Sequence, residues 1–146
     1  MKMFLAALAV GMVLAQSIEG RTLRVPSQYS TIQAGINAAV NGDTVLVADG
    51  TYTGEGNKNL DFGGRAIVVM SENGPDSCVI DCERAGRGFY FHSNETRNSV
   101  VQGFTIIHGY VSSTPLPSYF GGGIYCGNSS PTIARCYILE CHAAGG

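Results

Sequence analysis

The sequence predicts an all-β fold, a right-handed parallel β-helix (a solenoid) of about four coils with a capping α-helix at its N-terminal end. Two observations carry this prediction. Short β-rich runs recur at a constant spacing, and apolar residues alternate within each run. A fixed period of a few tens of residues is typical of repeat architectures. The right-handed sense is expected because parallel crossover connections are almost always right-handed.

The recurring run is the predicted unit strand. It reads TVLV at 44–47, AIVV at 66–69 and GFYF at 88–91, and GGIYC at 122–126 follows after a longer step. A second column of residues repeats at the same step that separates the first three runs, from Val79 to Val101 and from Cys82 to Phe104. Because side chains alternate along a strand, two inward rows are expected. They are Val45, Ile67, Phe89 and Ile124, and Val47, Val69, Phe91 and Cys126.

The segment 1–17 has the pattern of a secretory signal peptide, with Lys2, an apolar run at 3–14, and the small residues Ala15 and Ser17. The apolar run is shorter than the roughly 20 residues needed to span a membrane. We therefore expect no transmembrane segment in the mature chain, and a secreted location that is extracellular, periplasmic or at the cell surface. The expected domains are a signal peptide at 1–17 and a β-helix domain at 18–146.

A first short strand at 22–25 precedes the single amphipathic helix. Ser30 is the expected N-cap, and Asn41-Gly42 ends the pattern. One face carries Ile32, Ile36, Ala39 and Val40. Because a β-helix leaves unpaired backbone groups at its ends, we interpret this helix as the N-terminal cap; a partner-binding helix is the alternative.

The fourth coil carries an insertion within 108–121, which explains its longer step. Insertions in repeat proteins form loops, often on the binding face. Residues 121–144 read as one more coil, and Gly145-Gly146 repeats the start of the motif that begins at Gly121. We therefore expect the chain to be truncated at its C-terminal end, with an uncapped last coil.

The charge and cysteine content of the chain limit the classes of partner and of covalent link that are expected. A net charge of −2 with 14% charged residues provides no basic stripe for phosphates, which argues against nucleic acid. Five cysteines in a secreted chain invite disulfides. However, Phe104 separates Cys82 from Cys136 in the predicted column by two coils, about 9 to 10 Å, beyond the roughly 7 Å limit for bridged Cα atoms. Buried thiols acting as small apolar side chains are expected instead.

The outward column contains the candidate binding residues. Leu46, Val68, Tyr90 and Tyr125 share it, and His92 lies beside it. One interpretation is a flat aromatic surface that stacks on sugar rings, walled by Tyr119 of the insertion. The other is that these residues only favour strand formation and are covered by the insertion.

A second column carries the candidate metal ligands Asp61 and Asp81, followed by Gly103 and Arg135. Carboxylates on adjacent coils, about 4.8 Å apart, repel one another unless a cation or proton intervenes. Ca²⁺, which prefers oxygen ligands, is therefore the possible cofactor. The alternative is a corner at which Asp and Gly tolerate unusual backbone angles. No catalytic residue is predicted, since no phosphate loop, metal-spaced histidine cluster or Ser/His/Asp arrangement occurs.

VPSQYSTIQAGINAAVNGDTVLVADGTY (25–52) resembles the opening of secreted right-handed parallel β-helix proteins of the pectin-lyase-like superfamily. GGGIYCGNSSPTIARCYILECHAAGG (121–146) resembles one coil of bacterial surface and polymorphic outer-membrane-type repeats. The resemblance implies a module that presents an extended face to glycans or protein partners. The alternative is the N-terminal part of a polysaccharide-active enzyme, pectate-lyase-like or esterase-like, whose catalytic coils lie beyond residue 146. GTYTGE (50–55) matches only an entry turn of the methylesterases, so no catalytic residue is carried over.

Overall fold

The structure, a computed structural model, describes residues 19–112 and 120–144. The predicted signal peptide and Tyr119 lie outside these residues. The described chain is rich in parallel β-structure and contains one helix, α1 at Ile32–Ala38. The strands are β1 Thr22–Val25, β2 Thr44–Val47, β3 Gly50–Tyr52, β4 Val68–Ser71, β5 Cys78–Asp81, β6 Phe89–Phe91, β7 Val100–Gln102, β8 Thr105–Ile107, β9 Tyr110–Val111, β10 Ile124–Cys126, β11 Thr132–Ala134, β12 Tyr137–Leu139 and β13 His142–Ala143.

These strands form four sheets, and every pairing between them is parallel. Sheet 1 has the order β1-β2-β4-β7-β11, and sheet 2 has the order β3-β5-β8-β12. Sheet 3 pairs β9 with β13, and sheet 4 pairs β6 with β10. From β7 onward the chain passes through sheets 1, 2, 3 and 4 in turn and then enters sheet 1 again. Each pass therefore adds one strand to the same side of each sheet.

The register corrects the predicted constant spacing. In sheet 1, Val45 pairs with Val69 rather than stacking on Ile67. Phe89 belongs to sheet 4, where it lies opposite Ile124, as predicted, and forms a bridge to Leu60. The steps along the row that contains Val45 are unequal and grow longer toward its end. This row consists of Leu23, Val45, Val69, Val101 and Ile133.

The second predicted column is wrong for a related reason. Val79 pairs with Thr105 in sheet 2, whereas Val101 lies in sheet 1. Strands of different sheets show the same pattern, apolar residues at every second position, because each sheet packs one face against the same core. Equal spacing therefore linked strands that are not neighbours.

The inward alternation is confirmed for the first three runs. Their inward side chains are buried, and Phe89 and Phe91 are fully inaccessible. The ring of Phe62 meets that of Phe91 edge to face, with centroids 5.0 Å apart, and the parallel rings of Phe89 and Phe91 lie 6.1 Å apart. Phe104 closes the cluster against Phe89 at 6.0 Å. Phenylalanines from different passes of the chain thus fill the centre of the core.

Helix α1 covers the first strands of sheet 1. Its N-cap is Thr31 rather than Ser30, since the Thr31 hydroxyl accepts the N–H of Ala34 at 3.2 Å. A Cβ on Gly35 would lie 2.9 Å from Cγ1 of Val45, so the helix approaches the strand closely at this glycine. The apolar face is narrower than predicted, because Val40 is 55% exposed.

A buried carboxylate fixes the end of the helix to the start of sheet 1. Asp43 lies 2.6 Å from the guanidinium of Arg21 and accepts the N–H of Val40 at 3.0 Å. The hydrogen bond from Arg21, followed by that from Val40, lowers the pKa of Asp43 to about 2. This carboxyl therefore stays ionised and holds both segments well into the acid range.

The cysteines are free thiols. Cys78 and Cys82 are buried, as predicted, and burial raises the pKa of each thiol to about 12. Cys126 is exposed, in contrast to the prediction, and Cys136 and Cys141 are half-buried. The two inner thiols are consequently poor nucleophiles near neutral pH.

The substitution Phe91→Ala should destabilise the fold by roughly 3 to 5 kcal/mol, because it opens a cavity in the phenylalanine cluster. Tyr90→Ala, one residue away on the outward face, should cost roughly 1 to 2 kcal/mol. Urea unfolding of both variants checks this difference. Equal losses would show that the inward and outward faces of β6 are assigned incorrectly.

Candidate functional site

Sheet 4 carries the candidate site on its outward face. Phe89 and Phe91 point into the core, so Tyr90 between them points outward, and the parallel register places Tyr125 directly beside it. The two ring centroids are 5.3 Å apart, and the ring planes are inclined by 39°. The structure brings the two predicted tyrosines together but as a tilted pair, which corrects the expected flat surface.

Arg87 joins this pair and was not predicted. The central carbon of its guanidinium lies 4.9 Å from the Tyr90 ring centroid and 5.2 Å from that of Tyr125. Both distances are within the range of cation–π attraction. Arg87 is only 6% exposed, and this burial lowers the pKa of its guanidinium. The only sequence signal was an arginine just ahead of an outward tyrosine.

His92 stacks on Tyr90. The ring centroids are 4.2 Å apart with a 27° inclination, so the two rings lie nearly face to face. Nε2 of His92 lies 3.0 Å from Oδ2 of Asp61. Both side chains are partly exposed. Asp61, predicted as a calcium ligand, is thus placed beside the aromatic residues.

Asp81, the other predicted calcium ligand, lies elsewhere. It is opposite Ile107 in sheet 2, and its Oδ1 is 2.9 Å from Nδ1 of His108. Nε2 of the same histidine is 3.3 Å from Glu140. Burial opposes ionisation of Asp81, but hydrogen bonds from the Glu83 N–H and from His108 outweigh it and lower its pKa.

The predicted column of Asp61, Asp81 and Gly103 is therefore wrong. Each aspartate instead accepts the backbone N–H two residues ahead, at 2.7 Å for Gly63 and 2.9 Å for Glu83. These local turns agree with the corner interpretation. Residues 19–112 and 120–144 contain no group of three or more histidine, cysteine or acidic side chains placed to hold a metal ion.

Glu95 is a second residue that the sequence did not reveal. Its carboxylate is buried beside the site and accepts the N–H of Gly64 at 2.9 Å, the N–H of Ser93 at 2.8 Å and the hydroxyl of Ser129 at 2.7 Å. Burial opposes ionisation, yet these donors lower the pKa of Glu95. It ties together three loops around His92. A lone acid in a polar turn gave no signal of burial.

No family model, curated protein or solved structure matches this chain. None of these comparisons identifies a pectin-lyase-like superfamily, so that resemblance stays a prediction from the sequence segments quoted above. In the described part of the chain, no helix has the length and apolar character to cross a membrane. What the site can do must be inferred from its own geometry.

Replacing the buried carboxylate, Glu95→Gln, should lower the unfolding free energy by about 1 to 3 kcal/mol at neutral pH, since an amide nitrogen would then face donors. The folded-state pKa of Glu95 is lowered, so its stabilisation is complete above the unfolded value of about 4.3 and disappears as the pH falls through the folded value. Wild type and variant should thus converge in acid.

Urea unfolding over a series of pH values measures this. The control is Glu72→Gln, since Glu72 forms an exposed ion pair with Arg24. This change should lower the unfolding free energy very little at any pH. A Glu95→Gln variant as stable as wild type at neutral pH would contradict the assigned role.

Proposed function

We propose that this chain is a secreted or cell-surface module with the right-handed parallel β-helix fold of the pectin-lyase-like proteins, and that it binds a glycan on the outward face of sheet 4. The parallel pairings and the repeated passage through the four sheets in one order support the β-helix. The right-handed sense follows from the bias of parallel crossovers.

The observation that carries the proposal is the cluster of Tyr90, Tyr125, Arg87 and His92. A pyranose ring has an apolar C–H face that packs on aromatic rings and a rim of hydroxyls that needs hydrogen-bonding groups. Both tyrosine rings are half-buried, and His92 is exposed. They therefore offer a ligand stacking surface and polar atoms within one patch.

Contact of the buried Arg87 guanidinium with both tyrosine rings makes the patch rigid. A guanidinium in contact with both rings limits their rotation, so less side-chain entropy is lost when a ligand settles on them. Glu95 adds to this order by fixing the loops next to His92. A preorganised aromatic patch is expected to bind better than two mobile tyrosines.

A second candidate function is favoured by one contact, that of His92 with Asp61 at 3.0 Å. A carboxylate that orients an imidazole is a common arrangement for a general base. Next to a sugar-binding patch, it fits the N-terminal part of a polysaccharide lyase, esterase or hydrolase. Under this alternative, Asp61→Asn, which removes the carboxylate from His92 but keeps every residue of the aromatic cluster, should lower turnover while leaving retention of the polysaccharide largely intact.

The test is retention of the chain on an array of immobilised neutral and uronate-containing polysaccharides. The double variant Tyr90→Ala/Tyr125→Ala should lose at least about tenfold in affinity, equivalent to roughly 1.4 kcal/mol. Tyr137→Ala, which removes a half-exposed tyrosine from sheet 2, is the matched control and should bind normally. Unchanged retention by a correctly folded double variant would overturn the proposal.

A further inference from the structure

Three outward residues of the candidate site form a line across the strands, here called the outward row: Asp61, Tyr90 and Tyr125. The bridge between Leu60 and Phe89 is parallel and both side chains are buried, so the residues that follow them, Asp61 and Tyr90, lie side by side on the outward face. Tyr125 is opposite Tyr90 on the next strand. Since neighbouring strands are about 4.8 Å apart, the row is about 10 Å long. A ligand that lies along it contacts a carboxylate at one end and aromatic rings over the rest.

Helix α1 fixes the backbone of Asp61. The side chain of Gln33 accepts the Asp61 N–H through Oε1 at 2.9 Å and donates through Nε2 to the Asp61 carbonyl, also at 2.9 Å. The carboxylate accepts the N–H of Gly63 at 2.7 Å and lies 3.0 Å from Nε2 of His92. The position of this carboxylate is therefore set before a ligand binds, which limits the entropy lost on binding.

The Asp61 carboxylate can still accept hydrogen bonds from a ligand. An ionised carboxylate has about four lone-pair sites on its two oxygens. The Gly63 N–H uses one site on Oδ1, and the His92 ring uses one site on Oδ2. Because the side chain is 38% exposed, hydroxyl groups can reach the remaining sites. A ligand that donates hydrogen bonds is therefore favoured at this end of the row.

The cations around the outward row do not cancel the charge of Asp61 for a ligand on the rings. Arg87 contacts both tyrosine rings but is only 6% exposed, so a ligand has little access to it. Lys58 lies 2.7 Å from Glu83, and the guanidinium of Arg65 donates to a backbone carbonyl at 2.9 Å. The charged group that a ligand on the row meets is thus the Asp61 carboxylate.

We propose, building on the glycan-binding function proposed above, that the outward row binds neutral polysaccharides and excludes uronate polymers. A neutral sugar residue packs its C–H face on the tyrosines and donates its hydroxyls to Asp61. A uronate residue in the same position brings its own carboxylate toward that of Asp61, and the two negative charges repel each other. The net charge of −2 on the chain acts in the same direction.

Retention of the full chain on matched pairs of immobilised polymers tests this inference. The pairs are glucan with polyglucuronate, mannan with polymannuronate and galactan with polygalacturonate, in which each sugar ring carries either a hydroxymethyl or a carboxylate group. We expect the wild type to bind the neutral member of the preferred pair at least about fivefold more tightly than the uronate member. Added salt should raise retention on the uronate member, because it screens the repulsion.

The variant Asp61→Asn removes the negative charge but keeps an oxygen that accepts hydroxyls. The ratio of uronate to neutral retention should therefore rise at least about fivefold. The matched control Asp76→Asn removes the same charge from an exposed residue in the turn between β4 and β5 and should leave the ratio unchanged. If Asp61→Asn fails to fold, the salt dependence of the wild type decides.

The outcomes separate this inference from the proposed function. Equal or tighter binding of the uronate member, or uronate retention that falls as salt is added, would overturn the inference while leaving glycan binding in place. Attachment of the polymer through a cation such as Arg97 would give that result. A ratio that Asp61→Asn leaves unchanged would also overturn the inference. Absence of retention on every polymer would instead overturn the proposed function, and this inference with it.

Discussion

The parallel register between successive strands is the constraint on which the rest of the structure depends. Val45, Val69 and Val101 lie in one row and are completely buried. Each takes its position from the strand before it and sets the position of the next. A shift of one residue would turn every inward side chain of a strand toward solvent. The register thus fixes both the core and the outward face at once.

The candidate site is a direct product of that register. Phe89 and Ile124 are opposite one another on the inward face of sheet 4. Because side chains alternate along a strand, Tyr90 and Tyr125 are opposite one another on its outward face. The bridge between strand β6 and the segment that carries Asp61 likewise brings this carboxylate to His92. The same register places Ile133 of the outermost described strand of sheet 1 opposite the buried Val101.

The sequence predicted which residues of a strand face inward or outward better than it predicted which strands lie next to one another. Alternation identified Phe89 and Phe91 as inward and Tyr90 and Tyr125 as an outward pair. The constant spacing failed because the passes of the chain differ in length, as the unequal steps within sheet 1 show. Inward runs of different sheets are chemically alike, so spacing alone could not tell which run lies beside which. The helix was predicted to within one residue at its N-cap.

Residues that act through long-range contacts could not be predicted. Arg87 belongs to the site because its side chain extends over two rings on neighbouring strands. Two of the hydrogen-bond donors to the buried Glu95 carboxylate, the Gly64 N–H and the Ser129 hydroxyl, come from loops that are far from it in the sequence. Asp61 and Asp81 were paired by sequence spacing, whereas each contacts a histidine in a later pass of the chain. Such contacts require the register to be known first.

Cross-strand nuclear Overhauser effects between backbone protons test the register most directly. We expect contacts that place Val69 opposite Val101 and Leu60 opposite Phe89. Contacts that place Ile67 opposite Phe89, as a uniform spacing of the runs would require, would contradict the register.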